Sequence, residues 1–423
     1  MSLFKKTVLS NGIRIVSEQH AHSKSVALGI WVLTGTRDEE NEVLGISHFL
    51  EHLVFKGTKT KNAYQIAKSL ESLGGDLNAY TTRESTTYHC QVLKEDWREG
   101  LNVLTDLVCN MKITKKNFNL EKGVILQEIM MGDDSAEDII YDYFFETVYK
   151  NHPLGRQILG KKESVQIMTI KKIVDYYKKT YQGKNLIISA AGQIDHDELV
   201  IESQKLFRSR KTYSLPNKRK RPDWYPGRKV IEKDLEQTHM LVAFPAASYH
   251  DKYRLEAFVL NTMLGGGMTS KLYQAIREKK GLAYTVFSML NTQTDSGSIT
   301  IYAATDTKNV KRVLNIIKSE LKKMKFKGIS KKEVEMFRTQ VRGQLLMGSE
   351  DIENRMTSLG VNEMTFGEYR SVEHVISEVE AVTHESVNKY LDLKFSLNKA
   401  AIIMIGPEIK KIEPWLKQFK LEG

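Results

Sequence analysis

The feature that most restricts how this chain of 423 residues can fold is an order of strands and helices that occurs twice. In each half, an apolar strand is followed by helical sequence and then by a pair of strands. These strands are predicted over residues 25–32, 76–82 and 85–93 in the first half and over residues 239–244, 282–290 and 298–304 in the second. The nearly constant offset, about half the chain, predicts a duplicated α+β domain, each copy an antiparallel-rich sheet with helices on one side.

A change of composition separates the two copies. Between residues 209 and 228 the chain contains three of its seven prolines and the basic run Lys218-Arg219-Lys220-Arg221. Prolines and like charges at this density are typical of a linker. The sequence therefore predicts an N-terminal domain over 1–208, a linker over 209–228 and a C-terminal domain over 229–423.

Apolar periodicity between the strands predicts the helices that complete each copy. They are expected over residues 115–131, 136–149, 164–177, 271–278, 308–347 and 350–379.

The first copy contains a helical motif that the second lacks. In GISHFLEHLVFKG, residues 45–57, His48 and His52 are four residues apart and therefore lie on one helix face, with Glu51 beside them. Two imidazoles at this spacing can bind Zn²⁺, and the apolar neighbours make buried polar groups costly unless a metal or other partner compensates. The alternative is a pair of hydrogen-bonded core histidines beside a surface glutamate. At the corresponding place the second copy has LGGGM, residues 264–268, without histidine.

A catalytic zinc takes three protein ligands and leaves one position open. The best third ligand is Glu128, which lies among apolar residues in the predicted helix 115–131. Glu121, two turns earlier on the same face, could hydrogen-bond a ligand histidine. From the residues alone, an exposed helix face explains both glutamates equally well.

Composition excludes several other classes of protein. The net charge of +11 would suit nucleic-acid binding, but no motif of that class accompanies it, and lysine-rich helix faces explain the excess. No apolar run of about 18 residues exists to span a membrane, and no signal peptide is recognisable at the N-terminus. Cys90 and Cys109 cannot form a disulfide framework, so a reducing cytoplasm is expected.

Four segments together resemble a known family. They are HFLEH at 48–52, EKGVILQE ending at Glu128, HPLGRQILG at 152–160 and LGGGMTSKLYQAIREKKGLAY at 264–284. Their order and spacing are similar to those of the pitrilysin-type inverzincin peptidases, in particular the two-domain members related to the catalytic subunit of the mitochondrial processing peptidase. The similarity runs from near residue 6 to about residue 406, and a bacterial-type member is expected rather than an organellar one.

The resemblance implies a role for each candidate residue. One zinc ion per chain would be held by His48, His52 and Glu128, with Glu51 as the general base. Glu121 matches an additional acidic residue of the same helix. The remaining matches concern the substrate: Arg277 and Tyr284 would lie over it, and Asn78, Ala79 and Tyr80 would form the strand that pairs with it.

These roles imply a zinc endopeptidase that cleaves extended peptides or presequence-like segments. A homodimer is expected, with Arg277 and Tyr284 of one protomer serving the zinc of the other. The alternative function is a non-catalytic structural or partner subunit on the same fold. No nucleic-acid partner and no transmembrane segment are expected.

Overall fold

The computed structural model describes residues 3–210 and 219–422. Part of the predicted linker, residues 211–218, lies outside the described residues. The rest forms two compact units, each assembled from three stretches of sequence. Unit 1 takes its described residues from Met1–Met130, Arg156–Lys220 and Met347–Arg370, and unit 2 from Met131–Gly155, Arg221–Leu346 and Ser371–Gly423. The domain boundaries at 208 and 229 stay a prediction.

Each unit contains one β-sheet. The strands of unit 1 are β1 (Leu3–Val8), β2 (Arg14–Gln19), β3 (Ser25–Val32), β4 (Asp76–Thr81), β5 (Thr86–Leu93) and β6 (Leu186–Gly192). The strands of unit 2 are β7 (Arg228–Glu232), β8 (Thr238–Pro245), β9 (Thr285–Thr292), β10 (Gly297–Thr305) and β11 (Ala401–Gly406).

Fifteen α-helices surround the sheets in the described part of the chain. Those of the first half of the sequence are α1 (Ile46–Val54), α2 (Ala63–Glu71), α3 (Trp97–Asn110), α4 (Lys115–Asp134), α5 (Ala136–Val148), α6 (Lys162–Gln166), α7 (Ile170–Thr180) and α8 (His196–Leu206). Those of the second half are α9 (Arg254–Gly265), α10 (Val310–Lys327), α11 (Lys331–Gly348), α12 (Ile352–Thr365), α13 (Val372–Glu380), α14 (His384–Leu393) and α15 (Glu413–Gln418).

The order of strands confirms the predicted duplication. The six-stranded sheet runs β1-β2-β6-β3-β5-β4, and the five-stranded sheet runs β7-β11-β8-β10-β9. Each strand of the second sheet therefore corresponds to one of the first. The single parallel pair also recurs, β2 with β6 and β7 with β11, while all other pairs are antiparallel.

The expectation of helices on one side of each sheet is wrong, as the central strand β3 shows. Val26 and Leu28 pack in a core that includes residues of α1 and α3. Ala27 and Trp31, which point to the opposite face, pack against α12. Both faces of β3 are buried because its sequence, SVALGIWV, is apolar without alternation.

The second sheet is covered in the same way. Met240 and Val242 of β8 belong to the large core of unit 2. Leu241 and Ala243 of the same strand pack with α5. Hence α12 of the second half of the sequence covers the sheet of unit 1, and α5 of the first half covers the sheet of unit 2.

Several predicted helices are interrupted. The helix expected over 164–177 is α6 and α7, because Thr169 caps α7 by accepting a hydrogen bond from the backbone of Lys172. Gly328, at φ 72°, separates α10 from α11, and Ser371 caps α13 after α12 has ended. The helix expected over 271–278 is a π-helix over Tyr273–Glu278.

Among the described residues, none of the helices combines the length and the apolar character needed to cross a membrane. The expected cytoplasmic location stays a prediction.

Candidate metal centre

The helix α1 begins at a buried carboxylate. Glu39 accepts hydrogen bonds from the backbone N–H groups of Gly45, at 2.8 Å, and Ser47, at 2.9 Å. Free N–H groups at a helix N-terminus need such acceptors. Gly45 adopts φ 85°, and a Cβ there would lie 2.6 Å from the carbonyl oxygen of Leu159, so glycine is required.

Helices α1 and α4 bring the three predicted ligands together. The Nε2 atom of His48 is 3.7 Å from Oε2 of Glu128, and the Nε2 atom of His52 is 3.4 Å from the same oxygen. One ligand atom from each residue lies within 4.8 Å of the others. Glu128 therefore faces the two imidazoles while 42% of its side chain remains exposed.

The three residues fit a zinc ion. Ligand atoms about 2.0–2.1 Å from a tetrahedral zinc lie roughly 3.4 Å apart, close to the separations of the two Nε2 atoms from Glu128. Two imidazole nitrogens and one carboxylate oxygen are a donor set of catalytic zinc sites. His48 also has a buried Nδ1 atom without a hydrogen-bond partner, so one nitrogen of this ring lacks the fixed partner that a structural core histidine has.

Glu121 contacts His52, the second predicted ligand, at the Nδ1 atom of its ring. Its carboxylate is fully buried, with Oε2 at 3.2 Å from Nδ1 of His52 and Oε1 at 3.0 Å from Nζ of Lys56. A carboxylate that accepts a hydrogen bond from Nδ1–H favours the tautomer in which Nε2 carries the lone pair that can bind a metal. Glu121 therefore orients His52 toward Glu128.

Glu51 lies on the same turn of α1 but is held by a different element. The hydroxyl of Thr81, in β4, donates to its Oε2 at 2.5 Å. Burial raises the pKa of Glu51 above its usual value, and the Thr81 hydrogen bond opposes that effect. No sequence pattern marks Thr81 beyond its position, one residue after Tyr80 of the predicted substrate strand.

In the metal-free site the charge states of His48 and Glu128 favour metal binding, whereas the raised pKa of His52 opposes it. Burial, followed by repulsion from His52, lowers the pKa of His48 to about 4, so this imidazole is neutral at pH 7. Burial also lowers the pKa of His52, but hydrogen bonds to Glu128 and Glu121 outweigh it and leave that pKa raised. The hydrogen bond from His52 lowers the pKa of Glu128, which favours the carboxylate.

The predicted substrate strand is β4, the last strand of its sheet in the described part of the chain. Asn78 is exposed, whereas Ala79 and Tyr80 are half-buried. The ring of Tyr80 contacts His89 at 5.8 Å and Trp31 at 6.3 Å between centroids. These contacts hold one face of β4 while its outer edge has no strand partner among the described residues.

The other two predicted residues belong to unit 2. Arg277 donates from Nη1 to the carbonyl oxygen of Tyr284 at 2.9 Å, and its guanidinium lies 4.3 Å from the Tyr284 ring. Tyr284 is 76% exposed, so its hydroxyl is open to a ligand.

This fold and site define a class of duplicated α+β proteins in which an HxxEH helix and a glutamate of a second helix form a cluster that could hold a metal ion. The chain belongs to the insulinase family of peptidases, family M16. The sequence pattern described as "Insulinase (Peptidase family M16)" matches residues 14–162, and the pattern described as "Peptidase M16 inactive domain" matches residues 168–341. The resemblance inferred from the motifs is thereby confirmed.

Relatives of similar length carry zinc-protease names. An uncharacterized zinc protease of Mycobacterium leprae is 37% identical over 413 residues, which are 96% of this chain and 92% of the relative. The uncharacterized zinc protease YmxG of Bacillus subtilis is 35% identical over 405 residues, 96% of this chain and 98% of the relative.

Two solved structures share the fold. The crystal structure of a protease from Helicobacter pylori has a TM-score of 0.89 at 21% identity and covers 96% of this chain and all of that chain. A peptidase M16 inactive domain from Pseudomonas fluorescens has a TM-score of 0.89 at 17% identity, with 96% and 98% of the two chains covered.

Proposed function

We propose that this chain is a zinc-dependent endopeptidase that hydrolyses extended peptides. The observation that carries the proposal is the convergence of His48, His52 and Glu128, with a further half-buried carboxylate, Glu51, on the same turn as the histidines. Zinc-protease names among close relatives support the metal assignment. A metal with three protein ligands keeps a position for water, whereas a structural site would be closed by a fourth ligand.

Bound there, zinc would supply a Lewis acid and lower the pKa of a water molecule toward about 7. The chain itself supplies the proton acceptor, because Glu51 lies beside the ligands without being one of them. Thr81 holds one oxygen of Glu51 and leaves the other for the proton. Glu121 keeps the Nδ1 proton of His52 in place throughout, since it accepts that hydrogen bond from a buried position.

The substrate is proposed to lie along β4. Asn78, Ala79 and Tyr80 belong to an edge strand, and an extended peptide can add to such an edge through backbone hydrogen bonds. Thr81 of the same strand contacts Glu51, so a peptide on this edge would pass close to the general base. Main-chain binding makes little demand on substrate sequence and favours unfolded peptides, including presequence-like segments, over folded proteins.

Hydrolysis of a quenched peptide, measured together with zinc content, tests the proposal. Glu51→Gln is expected to retain one zinc per chain and lose hydrolysis, because the amide cannot accept the proton. Glu71→Gln, an exposed position on α2, is the matched control and should behave as the wild type. Zinc in both variants without hydrolysis by the wild type would instead indicate the non-catalytic subunit on this fold.

We further propose a homodimer in which Arg277 and Tyr284 of one protomer serve the zinc of the other. This rests on the family resemblance: in longer related peptidases the metal-binding part and the arginine–tyrosine part of the site come from opposite halves of one molecule. An equimolar mixture of Glu51→Gln and Tyr284→Phe chains should recover activity that neither chain has alone. Absence of recovery would place both parts of the site within one chain.

A further inference from the structure

The substrate-binding arginine proposed above lies in an unusual helical turn. Tyr273–Glu278 forms a π-helix, in which the N–H of Lys279 donates to the carbonyl oxygen of Gln274, five residues earlier. Single π-turns are rare and occur often at functional sites. The side chain of Gln274 also donates to the carbonyl oxygen of Met268 at 2.8 Å, which ties the turn to the preceding glycine segment.

Arg277 is enclosed by two aromatic rings. Its guanidinium carbon lies 5.0 Å from the ring centroid of Tyr273 and 4.3 Å from that of Tyr284. Both distances are within the range of a cation–π interaction. The two rings differ in their support, because Tyr273 is packed against the core of unit 2 whereas Tyr284 is 76% exposed.

Among the described residues no carboxylate lies within ion-pair distance of Arg277, and its one hydrogen bond goes to the carbonyl oxygen of Tyr284. A guanidinium has five N–H donors, so most of them remain for another acceptor. Rotamer freedom would scatter such a side chain unless contacts restrict it.

We propose that Tyr273 is a positioning residue, which holds the Arg277 guanidinium against Tyr284 in the orientation that binds the carbonyl groups of the substrate. The inference rests on the proposed function. The ring of Tyr273, which packs against the core, supplies a fixed surface for the guanidinium. The hydrogen bond to the carbonyl oxygen of Tyr284 fixes the rotation of the guanidinium. The arginine is therefore ordered before a peptide arrives, and less of its conformational entropy is lost on binding.

The ring, not the phenol oxygen, carries this role. Tyr273→Phe should keep kcat/KM within twofold of the wild type. Tyr273→Leu should lower kcat/KM by about 2- to 30-fold, the range that a cation–π contact of about 0.5–2 kcal/mol corresponds to, with the change mainly in KM. As a control, Tyr143→Leu removes another cation–π contact of unit 2, that of Lys229 at 4.2 Å, and should leave kcat/KM unchanged.

A double-mutant cycle separates positioning from a general loss of structure. In an Arg277→Ala background, Tyr273→Leu should cause no further loss, because the group that it positions is gone. Equal losses in both backgrounds would overturn the inference while leaving the proposed function intact. If the wild type hydrolyses peptide no faster than Glu51→Gln, the proposed function and this inference both fail.

A variant of unchanged shape covers the case in which Tyr273→Leu does not fold. Pentafluorophenylalanine at position 273 keeps the size of phenylalanine but reverses the charge distribution of the ring face that attracts a cation. It should raise KM relative to Tyr273→Phe in the Arg277 chain and have no effect in the Arg277→Ala chain. Equal KM values for the two rings in the Arg277 chain would overturn the inference.

Discussion

Replacing Glu39 by glutamine should change the pH dependence of stability in a direction that the structure specifies. Glu39 is buried beneath the N-terminus of α1, 5% exposed, and it accepts from the backbone of Gly45 and Ser47. Burial raises its pKa from 4.5 to about 7, although the two hydrogen bonds and the charge of Arg156 oppose the shift. At pH 6 the folded protein therefore holds a proton here that the unfolded chain has released.

The sign follows from this difference in bound protons. The native state binds more protons than the unfolded state between pH 4.5 and about 7, so the free energy of unfolding falls as the pH rises through that window. The whole shift corresponds to about 3.4 kcal/mol, and the part between pH 5 and pH 8 to about 2.5 kcal/mol. Glu39→Gln cannot ionise and lacks this contribution, while its amide oxygen can still accept one N–H.

The assay is denaturant unfolding of both chains at pH 5 and pH 8, in the presence of a chelator because zinc binding is itself pH-dependent. Trp224→Phe and Trp415→Phe in both chains leave fluorescence to Trp31 and Trp97, which are buried in unit 1.

Glu39→Gln should be less stable than its parent at pH 5, by about 1 kcal/mol for a lost hydrogen bond. Relative to the parent it should gain about 2.5 kcal/mol on moving to pH 8. Glu42→Gln, an exposed neighbour, is the control. If the free energy of unfolding of the variant instead falls relative to its parent between pH 5 and pH 8, the reasoning is refuted. Glu39 would then be ionised in the folded protein and would stabilise α1 by its charge at the helix N-terminus.

Three further predictions concern other contacts of unit 1. Glu121→Gln should weaken zinc binding by about 10- to 100-fold, measured by competition with a chelator, because the carboxylate that holds Nδ1 of His52 is lost. Unchanged affinity would contradict the orienting role. Gly360→Ala places a Cβ 2.1 Å from Cε2 of Trp31, so α12 must shift and the melting temperature should fall. An unchanged melting temperature would show that α12 does not pack tightly against Trp31. Arg355→Met removes the arginine that pairs with buried Glu18, leaving only His20 beside it, and should cost about 3–5 kcal/mol at pH 7 in denaturant unfolding. In the wild type, burial raises the pKa of Glu18, but His20 and Arg355 bring it down to about 2, so its stabilisation is lost as the pH falls from 4.5 toward 2; an acid transition identical in both chains would contradict this.

Much of the fold follows from patterns that are local in the sequence. β3 is found at its predicted bounds, residues 25–32, because an apolar run of this length between turns can only be a buried strand or a short buried helix. The same run indicates burial on both faces, which the expectation of one-sided cover neglected. Which helix covers the second face could not be predicted, since α12 comes from more than 300 residues further along the chain.

The residues of the candidate site also differ in whether the sequence could predict them. His48 and His52 could be paired from sequence because helical spacing alone sets their geometry. Glu128 could be chosen only by its apolar neighbours in a predicted helix, and Glu39, Thr81 and Tyr273 were not found. Glu39 and Thr81 contact residues of a different element, so no periodicity marks them. Tyr273 lies four residues before Arg277, so helical spacing pairs the two residues but does not show that the ring positions the arginine.

The sequence alone therefore determined the duplication, the place of the metal motif and the family resemblance, because these depend on spacing along the chain. Only the tertiary structure decided that α4 lies against α1 and that a threonine of β4 holds Glu51. It also decided that α5 and α12 each cover the sheet formed by the other half of the sequence. The physical reason is that side-chain packing and hydrogen bonds act at distances of a few ångströms in space, whatever the separation along the chain.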